Sequence, residues 1–349
     1  MQQKSQHPSS HTKQLVSIIL INWNGKRFLP ECLRSIREQS YPYLELFVID
    51  NASDDGSAEL LHTHYRHERL LLNHKNLGYC GGANLGIRKA HGEYILLLNP
   101  DIILEANFVE QLVRSAACNP HCGMFSGKLL RFDRQTLDST GQFLRPDISP
   151  LERGYGEKDQ GQYERSGPVF SVCGAVAFYR RAMLEEIRLA DQYFDEHYFA
   201  FYEDLDIGWR AQLCGWQAVY EPTAVAYHYR GGGLNSQSKA APWFERLPLL
   251  PKVSFSSKPL FIQRHVLVNR YLTILKNVSW RDLLVGLPAI LRYEMLMWAY
   301  VLLIRPALFS TLIDVMRLLP AMLRTRKQIA RKTRIVPSEF RRRLHSLST

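Results

Sequence analysis

Cysteine is scarce, with six in 349 residues, too few for a disulfide-stapled scaffold. The opening residues, MQQKSQHPSSHTKQ, contain no apolar run of the kind a secretory signal needs. These two absences disfavour a secreted protein and make the cytoplasm the expected compartment. Long uncharged stretches are also missing. In the apolar region 281–320 the longest is the ten residues from Met295 to Ile304. A spanning helix takes ~20 apolar residues, so none is expected. Cys118-Asn119-Pro120-His121-Cys122 looks like half a zinc site but has no second pair at a workable spacing. No G-x-G-x-x-G opens the first strand–helix unit, and no G-K-[ST] closes a glycine-rich loop. A dinucleotide fold is therefore not implied, and neither is a P-loop. Acidic residues are outnumbered, 33 against 44 Lys and Arg, for a net charge of +11. The stretch from Pro320 to Thr349 alone carries +8, leaving +3 for the rest. The basicity thus belongs to a tail that can meet nucleic acid or anionic lipid.

What is present reads as a folded α/β chain. The composition is 46% apolar and 22% charged, ordinary for a globular protein, and the length allows about two domains. Residues 1–13 are expected to form a disordered leader. Leu15 to Ile21 is almost continuously apolar and β-branched, which marks a strand buried on both faces. After the turn Asn22-Trp23-Asn24-Gly25, residues Phe28, Leu29, Cys32, Leu33 and Ile36 recur at helical spacing. A second run, Leu44 to Ile49, ends at Asp50. Leu70 to Leu72 suggest a third strand, and Tyr94 to Leu98 a fourth that ends in Asn99-Pro100-Asp101. This alternation predicts right-handed βαβ units, with ligands bound beyond the carboxyl ends of the strands. Asn22, Asp50 and Asp101 stand at those ends. Residues 131–166 are polar with scattered Gly and Pro and read as an insert or mobile loop, and 231–280 as a linker or flap.

Several residues carry chemical promise. A carboxylate at a strand end, as at Asp101, can hold a divalent cation beside substrate phosphates, although Asp also commonly caps helices. Asp50 can pair with a base or a ribose hydroxyl, whereas Asp54-Asp55-Gly56 has the composition of a plain turn. The glycine-rich Gly78 to Gly82 segment could let backbone N–H groups approach a phosphate or sugar. The strongest cluster runs from Phe194 to Arg210, where five carboxylates fall within twelve residues among aromatic side chains. Aromatic walls raise a carboxylate's pKa, as a general base requires. Glu203 and Asp204 would open a helix on which Asp206 points roughly 200° away from Asp204. That leaves Asp206 to pair with Arg210. His228, at a strand end, could ligate a metal, and the adjacent Arg230 could bind phosphate.

In order along the chain, these blocks resemble the family 2 glycosyltransferases with the GT-A fold. The carriers are Val16 to Gly25, Val48 to Ser57, Asn76 to Gly86, Asn99-Pro100-Asp101, and Phe201-Tyr202-Glu203-Asp204-Leu205-Asp206. The nearest flavour is the rhamnosyltransferase-like branch, which resembles enzymes that use dTDP-L-rhamnose to build bacterial surface polysaccharides. The resemblance implies a GT-A catalytic domain over 14–230, a Rossmann-like nucleotide-diphospho-sugar transferase sandwich. It implies that Asn22 and Asp50 frame the base, with Asn51, Gly78, Asn84, Asn99 and Arg230 completing the donor site. It implies that Asp101 binds Mg2+ or Mn2+, that His228 adds a second ligand where Asn99 replaces the family's usual first Asp, and that Cys173, Gly174 and Ala175 lie near the acceptor. It further implies that Asp204, with Glu203, is the catalytic base of a metal-dependent inverting transfer.

Residues 281–349 read as a helical, basic extension. Pro306 and Pro320 would divide it into short helices, and Arg317, Arg324 and Arg331 share one face with Leu318, Leu319, Met322 and Leu323. A helix of this kind lies in a membrane interface; the alternative is a bundle packed on the catalytic domain. The expected partners are a nucleotide sugar, a glycan or polyprenyl-diphosphate-linked acceptor, and the anionic inner face of a bacterial membrane, with no nucleic acid. Two other functions fit parts of the sequence: a sugar nucleotidyltransferase, and a basic nucleic-acid-binding protein prompted by the tail.

Overall fold

The computed structural model describes residues 14–230, 258–336, 338–340 and 342. The expected leader at 1–13, the first part of the expected flap at 231–257 and the end of the basic tail lie outside them. The strands are β1 (Val16–Asn22), β2 (Leu44–Asp50), β3 (Arg69–Leu72), β4 (Tyr94–Leu98), β5 (Ile102–Leu104), β6 (Cys122–Arg131), β7 (Leu137–Ser139), β8 (Gln142–Leu144), β9 (Pro150–Glu152), β10 (Gly167–Val169), β11 (Val176–Arg180) and β12 (Gln217–His228). The helices are α1 (Leu29–Arg37), α2 (Ser57–His64), α3 (Gly78–Lys89), α4 (Phe108–Cys118), α5 (Arg181–Ile187), α6 (Glu203–Leu213), α7 (Leu260–Asn277), α8 (Trp280–Ile304) and α9 (Ser310–Lys332).

The main sheet runs β10-β12-β6-β11-β4-β1-β2-β3. The contiguous strands β4, β1, β2 and β3 are parallel, as the alternation predicts. β11 is antiparallel between β4 and β6, so the sheet is mixed. Every residue of β1 is buried. Ile19 and Ile21 join the core beneath α3 and α6, while Ile18 and Leu20 join the core beneath α1 and α4. A strand with helices over both faces must be apolar at every position, which accounts for the unbroken run.

Three expectations are corrected. Residues 131–166 are not a mobile loop. β7 pairs with β6, β8 and β9 form a hairpin, and Leu137, Asp138, Ser139 and Thr140 are buried. Polar side chains here satisfy backbone locally; the Asp133 carboxylate, for example, accepts from the Gln135 and Thr136 N–H groups. The expected linker over 231–280 holds helix α7 from Leu260 onward. Finally, the C-terminal helices are not short. α8 passes through Pro288 and α9 through Pro320. Among the described residues, two segments, Trp280–Ile304 and Pro306–Lys332, are long and apolar enough to cross a membrane by length and composition alone. The expectation of short helices counted uninterrupted runs, whereas each helix keeps its apolar character across one acidic and one basic residue, Glu294 and Arg292 in the first and Asp314 and Arg317 in the second.

Part of the tail's charge is spent internally. The Arg326 guanidinium donates to the carbonyls of Leu275 and Val278 at the end of α7. Lys332 donates to the carbonyls of Glu186 and Arg188 at the C-terminal end of α5. Cations at helix C-termini satisfy orphan carbonyls and complement the dipole.

Candidate active site

The carboxyl ends of β1 and β2 are tied together. Asn22 lies in register with Asp50, and its Nδ2 donates to Asp50 Oδ1 at 2.7 Å. Asp50 also accepts from Ser53 Oγ at 2.6 Å and Ser53 N–H at 3.0 Å, so this buried carboxylate shapes the turn after β2. The Asn22 Oδ1 atom is buried with no hydrogen-bond partner. At Gly25 a Cβ would fall 2.4 Å from that oxygen and 2.8 Å from Pro100 Cγ. Only glycine admits this approach, which brings the β1 turn against Asn99-Pro100-Asp101.

At the end of β12, His228 sits between two carboxylates. Its Nδ1 is 2.8 Å from Asp138 Oδ2 and its Nε2 is 3.4 Å from Asp101 Oδ2. Burial alone would lower the His228 pKa, but hydrogen bonds to Asp101 and Asp138 raise it. Asp138 is fully buried and also takes the Arg230 guanidinium. Against the cost of burial, the bond from His228 and the charge of Arg230 hold its carboxyl below the usual range. Arg230 in turn stacks over Tyr155, 4.7 Å from the ring centroid.

A second group forms where α6 begins. Asp204 Oδ2 accepts from Gly174 N–H at 3.0 Å and Gln142 Nε2 at 3.2 Å, and Oδ1 accepts from Leu205 N–H at 2.8 Å. Burial nevertheless pushes its carboxyl up. Glu203 is pushed further, by burial and by the charge of Asp204, and its Oε2 has no partner. Glu152 is raised to about 7 by burial and by Asp204. Gln142 links the two, donating 3.0 Å to Glu152 as well.

Cys173-Gly174-Ala175 joins these groups. The Ala175 carbonyl accepts from Asn99 N–H at 2.9 Å, beside Asp101. The Cys173 thiol is driven up by burial and by the charges of Glu152, Asp204 and Asp138, and so feels both clusters. Asp50, Asp101 and Asp204 thus belong to one contiguous chain of contacts at the carboxyl edge of the sheet.

The turn entering α6 is strained. Phe199, Phe201 and Tyr202 have φ of 61°, 72° and 70°. Bulky residues in this region cost about 1–3 kcal/mol each and persist only where surroundings enforce them. Gly78, itself at φ 69°, makes room: a Cβ there would lie 2.5 Å from the Phe199 carbonyl oxygen.

Not every expected donor residue faces this edge. Asn84 is corrected outright: it is fully buried. Its Oδ1 accepts from Tyr193 and Phe194 N–H, and its Nδ2 donates to the Phe194 carbonyl. Those bonds tie α3 to the segment before α6. Asn51 is likewise spent, donating to the Gly78 carbonyl and accepting from Asn73. Asp206 pairs with Arg210 at 2.9 Å, as the helical spacing predicts. Sequence reasoning missed Asp138, Gln142 and Glu152, which lie in a stretch with no periodic signal.

The glycosyl transferase family 2 model matches residues 17–188. The putative glycosyltransferase EpsH of Bacillus subtilis is 25% identical over 62% of this chain and 60% of its own length. The N-acetylglucosaminyl-diphospho-decaprenol L-rhamnosyltransferase of Mycobacterium tuberculosis is 23% identical over 62% of this chain and 76% of its own. The chain thus spans less than two thirds of EpsH. A solved mannosyltransferase from Pyrobaculum calidifontis, in complex with GDP-Man and Mn2+, aligns at a TM-score of 0.49 and 18% identity, covering 96% of this chain and 86% of that one. With the parallel β3-β2-β1-β4 half sheet and the strand-end carboxylates in place, residues 17–188 form a segment of the family 2 glycosyltransferase type, and the mixed α/β sheet agrees with the GT-A-like fold expected of it.

Proposed function

We propose that this protein transfers a glycosyl unit, with inversion, from a nucleotide sugar to an acceptor hydroxyl, using Asp204 as the base. The observation that carries the reading is the pair of neighbouring acids at the start of α6. Asp204 receives three hydrogen-bond donors, which favour its anion, while Glu203 has an unpartnered oxygen and a more strongly raised pKa. Two adjacent carboxyls with separated pKa values divide into a base and a neutral neighbour. Asp204 takes the proton of the acceptor hydroxyl as that oxygen attacks the anomeric carbon. The Cys173–Ala175 strip positions the acceptor. Asn22, through its unpartnered Oδ1, and Asp50 frame the base of the donor.

Asp101 and His228 offer one oxygen and one nitrogen facing each other, with Asp138 fixing the far side of the imidazole. Among the described residues no cluster of three or more such ligands could hold an ion alone. Mg2+ and Mn2+ commonly rest on one or two protein groups plus substrate phosphates, and Asp101 with His228 would supply those groups. Such an ion would offset the charge growing on the departing diphosphate.

The Mycobacterium relative, named for L-rhamnosyl transfer to N-acetylglucosaminyl-diphospho-decaprenol, makes an L-rhamnosyl donor and a polyprenyl-diphosphate-linked glycan the first pair to test. The exposed apolar residues of α8 and α9, among them Val285, Met295, Leu303 and Met316, support attachment to the inner face of the cell membrane. Hydrolysis of dTDP-L-rhamnose, UDP-N-acetylglucosamine, UDP-glucose and GDP-mannose, followed with and without Mn2+, tests the class. One donor should turn over, and Asp204→Asn should lower that rate about 10²–10⁴-fold without unfolding. Near-normal turnover in the folded variant removes Asp204 from the role.

A further inference from the structure

The three strained residues Phe199, Phe201 and Tyr202 closely precede or adjoin Glu203 and Asp204, and part of what holds them comes from α7, downstream of the matched family segment. The Asn269 side chain, on α7, donates from Nδ2 to the carbonyls of Tyr198, Ala200 and Phe201, at 2.9, 2.8 and 2.8 Å. Asn269 is 1% exposed. Four residues on, Thr273 Oγ1 lies 2.9 Å from the Tyr198 hydroxyl. On the opposite side of the turn, Cys80 N–H donates to the Phe199 carbonyl at 3.1 Å. One amide, with two N–H groups shared among three acceptors, thus reaches three carbonyls of an irregular turn; the Tyr198 carbonyl also accepts from Ala200 N–H, whereas those of Ala200 and Phe201 turn toward α7.

We propose that Asn269 is a positioning residue: it clamps the Tyr198–Tyr202 turn and thereby fixes where Glu203 and Asp204 stand. α7 then completes the catalytic edge rather than merely linking the domain to the membrane-facing helices. The claim rests on the reading of Asp204 as base, and one series of variants separates the two. Asn269→Asp keeps the shape of the side chain but replaces the donor with an acceptor facing carbonyls, and Asn269→Ala removes both. On the full chain, with the donor that the hydrolysis panel identifies, both should lower kcat about 10–100-fold, as small misplacements of a reacting group do, with KM for the donor within about twofold. The acid limb of the kcat–pH profile should move to lower pH, because a loosened turn exposes Asp204 to water. Hydrogen exchange at the Cys80 amide should quicken. Should both variants fail to fold, Thr273→Val tests the same clamp, with a smaller drop and the same displacement of the acid limb. Folded Asn269 variants with unchanged kcat and an unmoved limb overturn the clamp, provided Asp204→Asn is inactive. An active Asp204→Asn overturns the base assignment instead.

Discussion

The acidic, aromatic segment 194–210 contributes to two carboxylate groups that fold into opposite environments. Asp195 and Asp206 face inward, where Lys276 from α7 reaches both at 2.7 and 2.9 Å and Arg210 adds a third contact. Despite burial, the Lys276 charge holds both carboxyls below the usual range. Glu203 and Asp204 face the sheet edge and meet backbone N–H groups and the Gln142 amide, and burial pushes both up. The same residue types are thus anchored in one place and poised in the other. The difference lies in whether a buried cation arrives from elsewhere in the chain.

The most forceful way to break this contrast is to remove the cation. Lys276→Met leaves Asp195 and Asp206 buried with less compensation, which costs about 3–5 kcal/mol. Urea unfolding should register most of that loss, and a change below about 1 kcal/mol would mean that the remaining partners already suffice: His197, 2.6 Å from Asp195, and Arg210 and Asn277, 2.9 and 2.8 Å from Asp206. A smaller effect is expected at Asp138, a buried carboxylate that acts on His228 rather than on the substrate. Asp138→Asn keeps the shape but weakens the acceptor on Nδ1. Outer-shell partners of this kind are worth about 10–100-fold in metal affinity, so Mn2+ titration monitored by turnover should shift by that factor at a temperature where the variant is still fully folded, since loss of the buried Arg230 pair also lowers stability.

How much of this was legible depends on where each residue's partners sit in the sequence. Asn22, Asp50 and Asp101 could be read because each ends an apolar run, and a buried parallel strand announces both itself and its carboxyl end. The divergence of Asp204 and Asp206 followed from helical geometry alone. Asp138, Gln142 and Glu152 were hidden, since short strands satisfied by local side-chain bonds look like a loop. Gln142 reaches Asp204 across 62 residues and Lys276 reaches Asp195 across 81; no spacing rule covers such distances. Asn84 misled for a related reason. It sits in a glycine-rich motif, yet faces inward and serves the backbone at Tyr193 and Phe194. Asn84→Ala should therefore cost about 1–3 kcal/mol of stability by orphaning buried N–H groups, while leaving donor KM unchanged.

The mildest test concerns Glu152, whose carboxyl is raised to about 7 by burial and by Asp204. A group protonated more readily in the folded state than in the unfolded one favours folding at low pH. Between about pH 4.5 and 7 the folded state holds the extra proton, so this contribution declines as pH rises and is fully lost above 7. Glu152→Gln removes the titration while its side chain can still face Ser139 and Gln142. The variant should match the parent near pH 4 and melt roughly 2–6 °C higher at pH 8, in keeping with a change of one or two kcal/mol in a chain of this size. A melting difference that is the same at pH 4 and pH 8 would show that Glu152 is charged throughout and belongs with the anchored carboxylates, not the poised ones.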